Sequence, residues 1–193
     1  MKNSTRSFDQ LSLVTTIAIG LCTLFWSLSI NAQGQHFNPK GKQPSEFTRE
    51  IQAQLRQSLP FEDQRDFEES RRGFIAEPDY RQILGAQGNI VWDMTRYDFL
   101  LDGNDYDSIH PSLQRQATLN MNYGLYEVVP GFLYQVRGFD VSNLTLVRGD
   151  TGWILFDVLL ASETAEAALA LANQHLGELP VKAVVYSHSH IDH

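Results

Sequence analysis

Between Trp153 and Tyr186 the chain reads as strand, helix and strand in direct succession, and that order leaves little choice of architecture. Trp153–Phe156 and Val181–Tyr186 are short apolar runs rich in β-branched and aromatic residues. Between them Ser162 is expected to cap a helix that contains Ala165, Leu169 and Leu176 and stops at Gly177. Two strands joined through a helix lie parallel, with a right-handed crossover. Ligands in such sheets bind beyond the carboxyl ends of the strands. Both ends are polar here: Asp157 follows the first strand, and Ser187-His188-Ser189-His190-Ile191-Asp192-His193 follows the second.

That last segment places four metal-competent side chains within six residues: His188, His190, Asp192 and His193. In an extended or turning segment, residues two apart point to the same side, so His188 and His190 can converge on one ion. Asp192 and His193, at the next bend, can face a second. Two ions sharing a water would lower its pKa towards about 7 and generate hydroxide at neutral pH. The only cysteine, Cys22, lies in the apolar N-terminal run, which excludes a disulfide framework or a thiolate site in the rest of the chain. Metal chemistry must therefore use imidazole and carboxylate, ligands that zinc accepts. Three further histidines, His36, His110 and His175, are read as surface or core residues. The interruptions by Ser189, Ile191 and Asp192, straight after an apolar strand, set the cluster apart from an expression tag. A formal net charge of −8 supplies no basic face for phosphates, so no nucleic-acid partner is expected. An anionic substrate would need a local positive centre, such as a metal ion.

Upstream, four short runs predict hairpins of an antiparallel meander: Tyr126–Val129, Leu133–Val136, Leu144–Arg148 and Trp153–Phe156. Pro130-Gly131 and Gly149-Asp150-Thr151-Gly152 supply turns. Phe47, Ile51, Leu55 and Leu59 recur every fourth residue and predict a helix from Ser45 to Pro60, its apolar stripe packed on the domain. A second helix is expected over 62–72, acidic at its start, with Arg71 and Arg72 at its end and Gly73 as its stop. Lys2 and Arg6 precede a largely uncharged run over 11–30 with Ala32 after it, the layout of an export signal cut after Ala32 or of a retained anchor. Four segments follow: a signal or anchor over 1–32, a linker over 33–44, a helical region over 45–123, and an α/β domain from 124 to 193.

His-x-His-x-Asp-His after an apolar strand resembles the signature of the metallo-β-lactamase superfamily, and Asp157 falls where that superfamily has an aspartate ending an earlier strand. Further segments resemble its alkyl sulfatase branch: Asp66-Phe67-Glu68, Arg72-Gly73-Phe74-Ile75-Ala76, Val91-Trp92-Asp93, Pro111-Ser112-Leu113 with Arg115-Gln116, Gly124-Leu125-Tyr126-Glu127-Val128, Tyr134-Gln135-Val136-Arg137-Gly138, Gly149-Asp150-Thr151-Gly152-Trp153 and Ser162-Glu163-Thr164-Ala165. The resemblance covers roughly residues 60–193. It implies the first part of an αββα sandwich and an exported enzyme with two zinc ions. Such an enzyme hydrolyses sulfate esters of fatty alcohols of the dodecyl sulfate type, and the full-length protein would be a homodimer. It further implies that His188 and His190 hold one zinc, that Asp192 and His193 hold the other, that Asp192 also orients the hydroxide, and that Asp157 supports the loop from behind. Val158 and Ser187 depart from the family pattern, which commonly has proline and threonine there. Two glutamates and a histidine further along would complete the family's ligand set. The 193-residue chain is accordingly expected to be an N-terminal part that alone binds zinc weakly, hydrolyses nothing and tends to aggregate. Another hydrolase of the same superfamily, or a non-catalytic envelope protein keeping a partial fold, is the alternative.

Overall fold

The computed structural model describes residues 43–193; the segment 1–32 read as a signal or anchor, and nearly all of the segment 33–44 read as a linker, lie outside them. Eight strands and four α-helices follow in order: α1 (Glu46–Ser58), α2 (Arg65–Ser70), β1 (Phe74–Ala76), β2 (Gln82–Leu84), β3 (Ile90–Asp93), α3 (Pro111–Leu119), β4 (Gly124–Val129), β5 (Leu133–Arg137), β6 (Leu144–Arg148), β7 (Trp153–Phe156), α4 (Ser162–Leu176) and β8 (Val181–Val185). A 3-10 turn, Asp98–Leu101, precedes α3. Among the described residues no helix is long and apolar enough to cross a membrane.

One six-stranded sheet, in the order β1-β4-β5-β6-β7-β8, carries the site. The expected meander is its centre: β4 to β7 pair antiparallel in sequence. β8 then joins β7 in parallel after α4, as the strand–helix–strand pattern requires. Alternation decides which face is buried, because side chains one residue apart point to opposite faces. Tyr134 and Val136 of β5, Leu144 and Leu146 of β6, and Trp153 and Leu155 of β7 face inward. The register places Tyr134 opposite Leu146, Val136 opposite Leu144, and Leu146 opposite Leu155. Ala168, Leu171 and Ala172 of α4 pack on that face, with Ile83 and Met94 of the β2–β3 region completing the core.

Trp153 is the hinge of this packing. It is fully buried, its ring stands edge-on to Tyr134 at 5.9 Å, and its indole N–H donates to Asn173 Oδ1 on α4 at 3.0 Å. Arg148 lies over the indole, 4.8 Å from the ring centre, and donates to the Leu176 carbonyl near the end of α4. A cation at that end also suits the helix dipole.

Several expectations change. The region 45–123 is not simply helical: it contains β1, β2 and β3, and β1 pairs with β4, so the boundary at 124 cuts through the sheet. Gly73 explains how closely that pair meets. Its φ is +74°, and a Cβ there would sit 2.0 Å from the Glu127 carbonyl oxygen, so only glycine fits. The second helix runs Arg65–Ser70 rather than 62–72, leaving Arg71 and Arg72 beyond its end. Its start is delayed because the Asp63 carboxylate accepts from the Arg65 N–H at 3.0 Å and from its guanidinium, a local turn that competes with helix. Those hydrogen bonds hold Asp63 down at about 2.

The apolar stripe of α1 is not packed as expected either. Phe47 and Ile51 are exposed, and the buried residue is Gln52. Arg56 instead anchors the helix, pairing with Asp105 at 3.1 Å and donating to the Tyr106 carbonyl. Ser162 does not cap α4: Ala161 holds that position, and the Ser162 hydroxyl donates to Glu163. The buried Asp140 does the fastening, accepting from the Leu160 N–H at 3.1 Å and the Thr164 hydroxyl at 2.6 Å. Finally, β8 reads as a buried strand by composition but is exposed along its whole length.

Candidate metal centre

β7 and β8 end side by side, and their carboxyl ends bring Asp157 to the loop 187–193. The Asp157 N–H continues the pairing by donating to the Val185 carbonyl at 3.1 Å. The backbone then turns sharply: Asp157 has φ +55° and Leu159 φ +72°, both in the left-handed region that side chains disfavour. Such strain persists only where surrounding contacts impose it, and it concentrates at functional sites. Here the contacts are visible. Asp157 Oδ1 accepts from the Ser187 N–H at 2.8 Å, and Oδ2 lies 3.2 Å from His193 Nδ1. The Ser187 N–H is the chief reason the Asp157 carboxyl is held below its ordinary range; burial opposes it, and the Ser187 hydroxyl and His193 reinforce it.

The three imidazoles of the loop pack on one another. Ser187 Oγ is 2.8 Å from His188 Nδ1, which leaves Nε2 of that ring facing His190 Nδ1 at 3.0 Å. The His188 ring centre is 4.7 Å from that of His190 and 4.1 Å from that of His193. His193 Nε2 lies 3.3 Å from Asp192 Oδ2. The loop closes through the His193 N–H, which donates to the His190 carbonyl at 3.3 Å. Pair by pair, these contacts link His190, His188, His193, Asp192 and Asp157 at the strand ends.

The donors fit a borderline cation such as zinc in two respects. Two ligands of a tetrahedral zinc, each at about 2.05 Å, are separated by about 3.3 Å. The His188–His190 nitrogen separation of 3.0 Å is close to such an edge. In addition, His193 Nδ1 is buried and makes no hydrogen bond, with the Asp157 carboxylate 3.2 Å away. The approach is pairwise. Among the described residues no three acids or histidines are set around a single point as they stand.

Two contributors are not apparent from the sequence pattern. Ser142, in the loop between β5 and β6, donates its hydroxyl to the Asp192 carbonyl. Two residues earlier, Asp140 secures the loop that leaves Asp157, as described above. Of the histidines set aside, His110 accepts from the Ser112 N–H and caps α3, and His175 lies in the last turn of α4.

Residues 137–193, which run from the end of β5 through the histidine loop, match the model of the metallo-beta-lactamase superfamily. Over this segment the chain is similar to that superfamily. Over a longer stretch it is similar to alkylsulfatases. It is 50% identical over 152 residues to an (R)-specific secondary-alkylsulfatase of a Pseudomonas species, covering 79% of this chain and 23% of that protein. It is 42% identical over 151 residues to the alkyl/aryl-sulfatase BDS1 of Saccharomyces cerevisiae, covering 78% of this chain and 23% of that protein. It is 41% identical over 167 residues to a linear primary-alkylsulfatase of a Pseudomonas species, covering 86% and 25%. The solved structure of the stereoselective inverting sec-alkylsulfatase Pisa1 from a Pseudomonas species superposes with a TM-score of 0.73 at 51% identity, covering 79% of this chain and 24% of that one. The chain spans about a quarter of the length of these relatives.

Proposed function

We propose that this chain supplies the first metal-binding loop of an enzyme that hydrolyses sulfate esters of alkyl alcohols. His188, His190, Asp192 and His193 are its metal ligands, and Asp157 is the support behind them. The observation that carries the reading is the run of pairwise contacts that links three imidazoles and two carboxylates at the ends of β7 and β8, in a chain 50% identical over 152 residues to a secondary-alkylsulfatase. Zinc bound there, as two ions, would lower the pKa of a water towards about 7 and offset negative charge on the sulfate oxygens.

The chain's own residues do the positioning. Asp157 holds the Ser187 N–H and so fixes where the loop leaves β8. Ser187 engages Nδ1 of His188, which sets the ring's orientation and leaves Nε2 as its donor. Asp192 places a carboxylate beside His193, where it can accept a proton from a water and aim it. The relatives include enzymes named for secondary and for primary esters, so a dodecyl-sulfate-type substrate rests on the alkylsulfatase resemblance alone.

The test is sulfate release from dodecyl sulfate and from a secondary alkyl sulfate. A protein that carries this segment and extends to the length of the relatives is expected to release sulfate, and to lose that activity on chelation. The 193-residue chain by itself is expected to release none. Release by the 193-residue chain, or activity of the longer protein that survives chelation, contradicts the proposal.

A further inference from the structure

We infer that Ser142 is a positioning residue for Asp192. Ser142 lies in the β5–β6 loop, fifty positions from Asp192 in sequence, yet its hydroxyl donates to the Asp192 main-chain carbonyl. Ser142 is buried and Asp192 half-buried, so the contact is partly withdrawn from water. The carbonyl it holds belongs to the residue whose carboxylate faces His193 Nε2 at 3.3 Å. The same short loop reaches the other side of the cluster. Asp140 accepts from Leu160 and Thr164 and thereby fixes the turn in which Asp157 has φ +55°. Residues 140–142 of the β5–β6 loop therefore touch both the segment that leaves Asp157 and the main chain of Asp192.

The physical consequence is specific. The loop 187–193 is anchored at its start by Asp157, while its end is held by Ser142 at Asp192 and by the contacts of His193 with Asp157 and the His190 carbonyl. Ser142 is the hold on Asp192 itself, so without it the Asp192 main chain gains freedom while His188 and His190 keep their place. Loss of the hydroxyl should thus weaken the half of the site formed by Asp192 and His193 more than the half formed by His188 and His190. Outer contacts of this kind typically alter metal affinity by about 10- to 100-fold.

This inference rests on the metal-site reading, and the experiment separates the two. The 193-residue chain, Ser142→Ala and Ser142→Thr are titrated with cobalt(II), followed by its visible absorption, and with zinc by calorimetry; thermal unfolding of each metal-free protein is recorded alongside. Ser142→Ala is expected to bind the weaker equivalent about tenfold less tightly, with altered absorption, and Ser142→Thr to restore both. If the unsubstituted chain takes up neither metal, the site reading fails and this inference with it. If it binds metal and Ser142→Ala binds identically, the inference alone is overturned. The same holds if Ser142→Ala only lowers the unfolding midpoint.

Discussion

Trp153→Ala is expected to cost about 3–5 kcal/mol of folding stability, the largest effect of any single core truncation in this sheet. Three losses coincide. The indole is fully buried among β5, β7 and α4, so its removal leaves a cavity that neighbours fill only in part. Asn173 Oδ1 loses the indole donor and keeps only the longer bond from the Leu179 N–H at 3.5 Å. Arg148 loses the ring it lies over, although its Nε is already buried without a partner. A domain is typically stable by about 5–15 kcal/mol, so such a loss removes a large share of the whole. Urea unfolding followed by circular dichroism measures it. Trp153→Phe keeps much of the bulk and should lose less. A loss below about 1 kcal/mol for the alanine variant would show that α4 is held by other contacts.

The second large effect concerns chemistry. In a protein of the relatives' length, replacing His188 and His190 together with alanine is expected to lower alkyl sulfate hydrolysis by at least about 1000-fold, because a bound metal contributes several kcal/mol to the reaction. The two rings meet at 3.0 Å through Nε2 and Nδ1, and no neighbouring imidazole replaces both. The fold should survive, since both side chains are exposed and outside the core. Circular dichroism of the variant should therefore match the parent. Hydrolysis within tenfold of the parent would place the chemistry elsewhere.

The parts of this molecule that follow local periodicity were legible in the sequence. β6 and β7 match their expected limits, α4 runs from Ser162 to its stop at Gly177, and β8 falls one residue short of expectation. Alternation and helical spacing act over a few residues, so one sequence contains them. Strands β1, β2 and β3 were not legible, because runs of three or four residues owe their form to partners elsewhere; Phe74 pairs with Tyr126, for instance. α3 was missed for a related reason: its start depends on His110 as the cap and Pro111 in the first turn, a use of histidine that composition does not advertise. The apolar stripe of α1 misled because periodicity reports amphipathicity and not contact, and the ion pairs of Arg56 hold that helix instead.

At the candidate site, the residue types and their crowding were readable, and so was the position of Asp157. The bracing was not. Ser142 and Asp140 act across 50 and 24 positions respectively, and neither carries a motif. A serine hydroxyl on a main-chain carbonyl leaves no pattern in a single sequence.

The claim beneath all of this is that the loop 187–193 holds a divalent cation through its imidazoles. Equilibrium dialysis of the 193-residue chain against zinc tests it without reference to any substrate. Saturable uptake of at least one ion per chain is predicted, abolished in His188→Ala/His190→Ala with the fold intact. Absence of uptake by the parent chain, or equal uptake by the double variant, would contradict it.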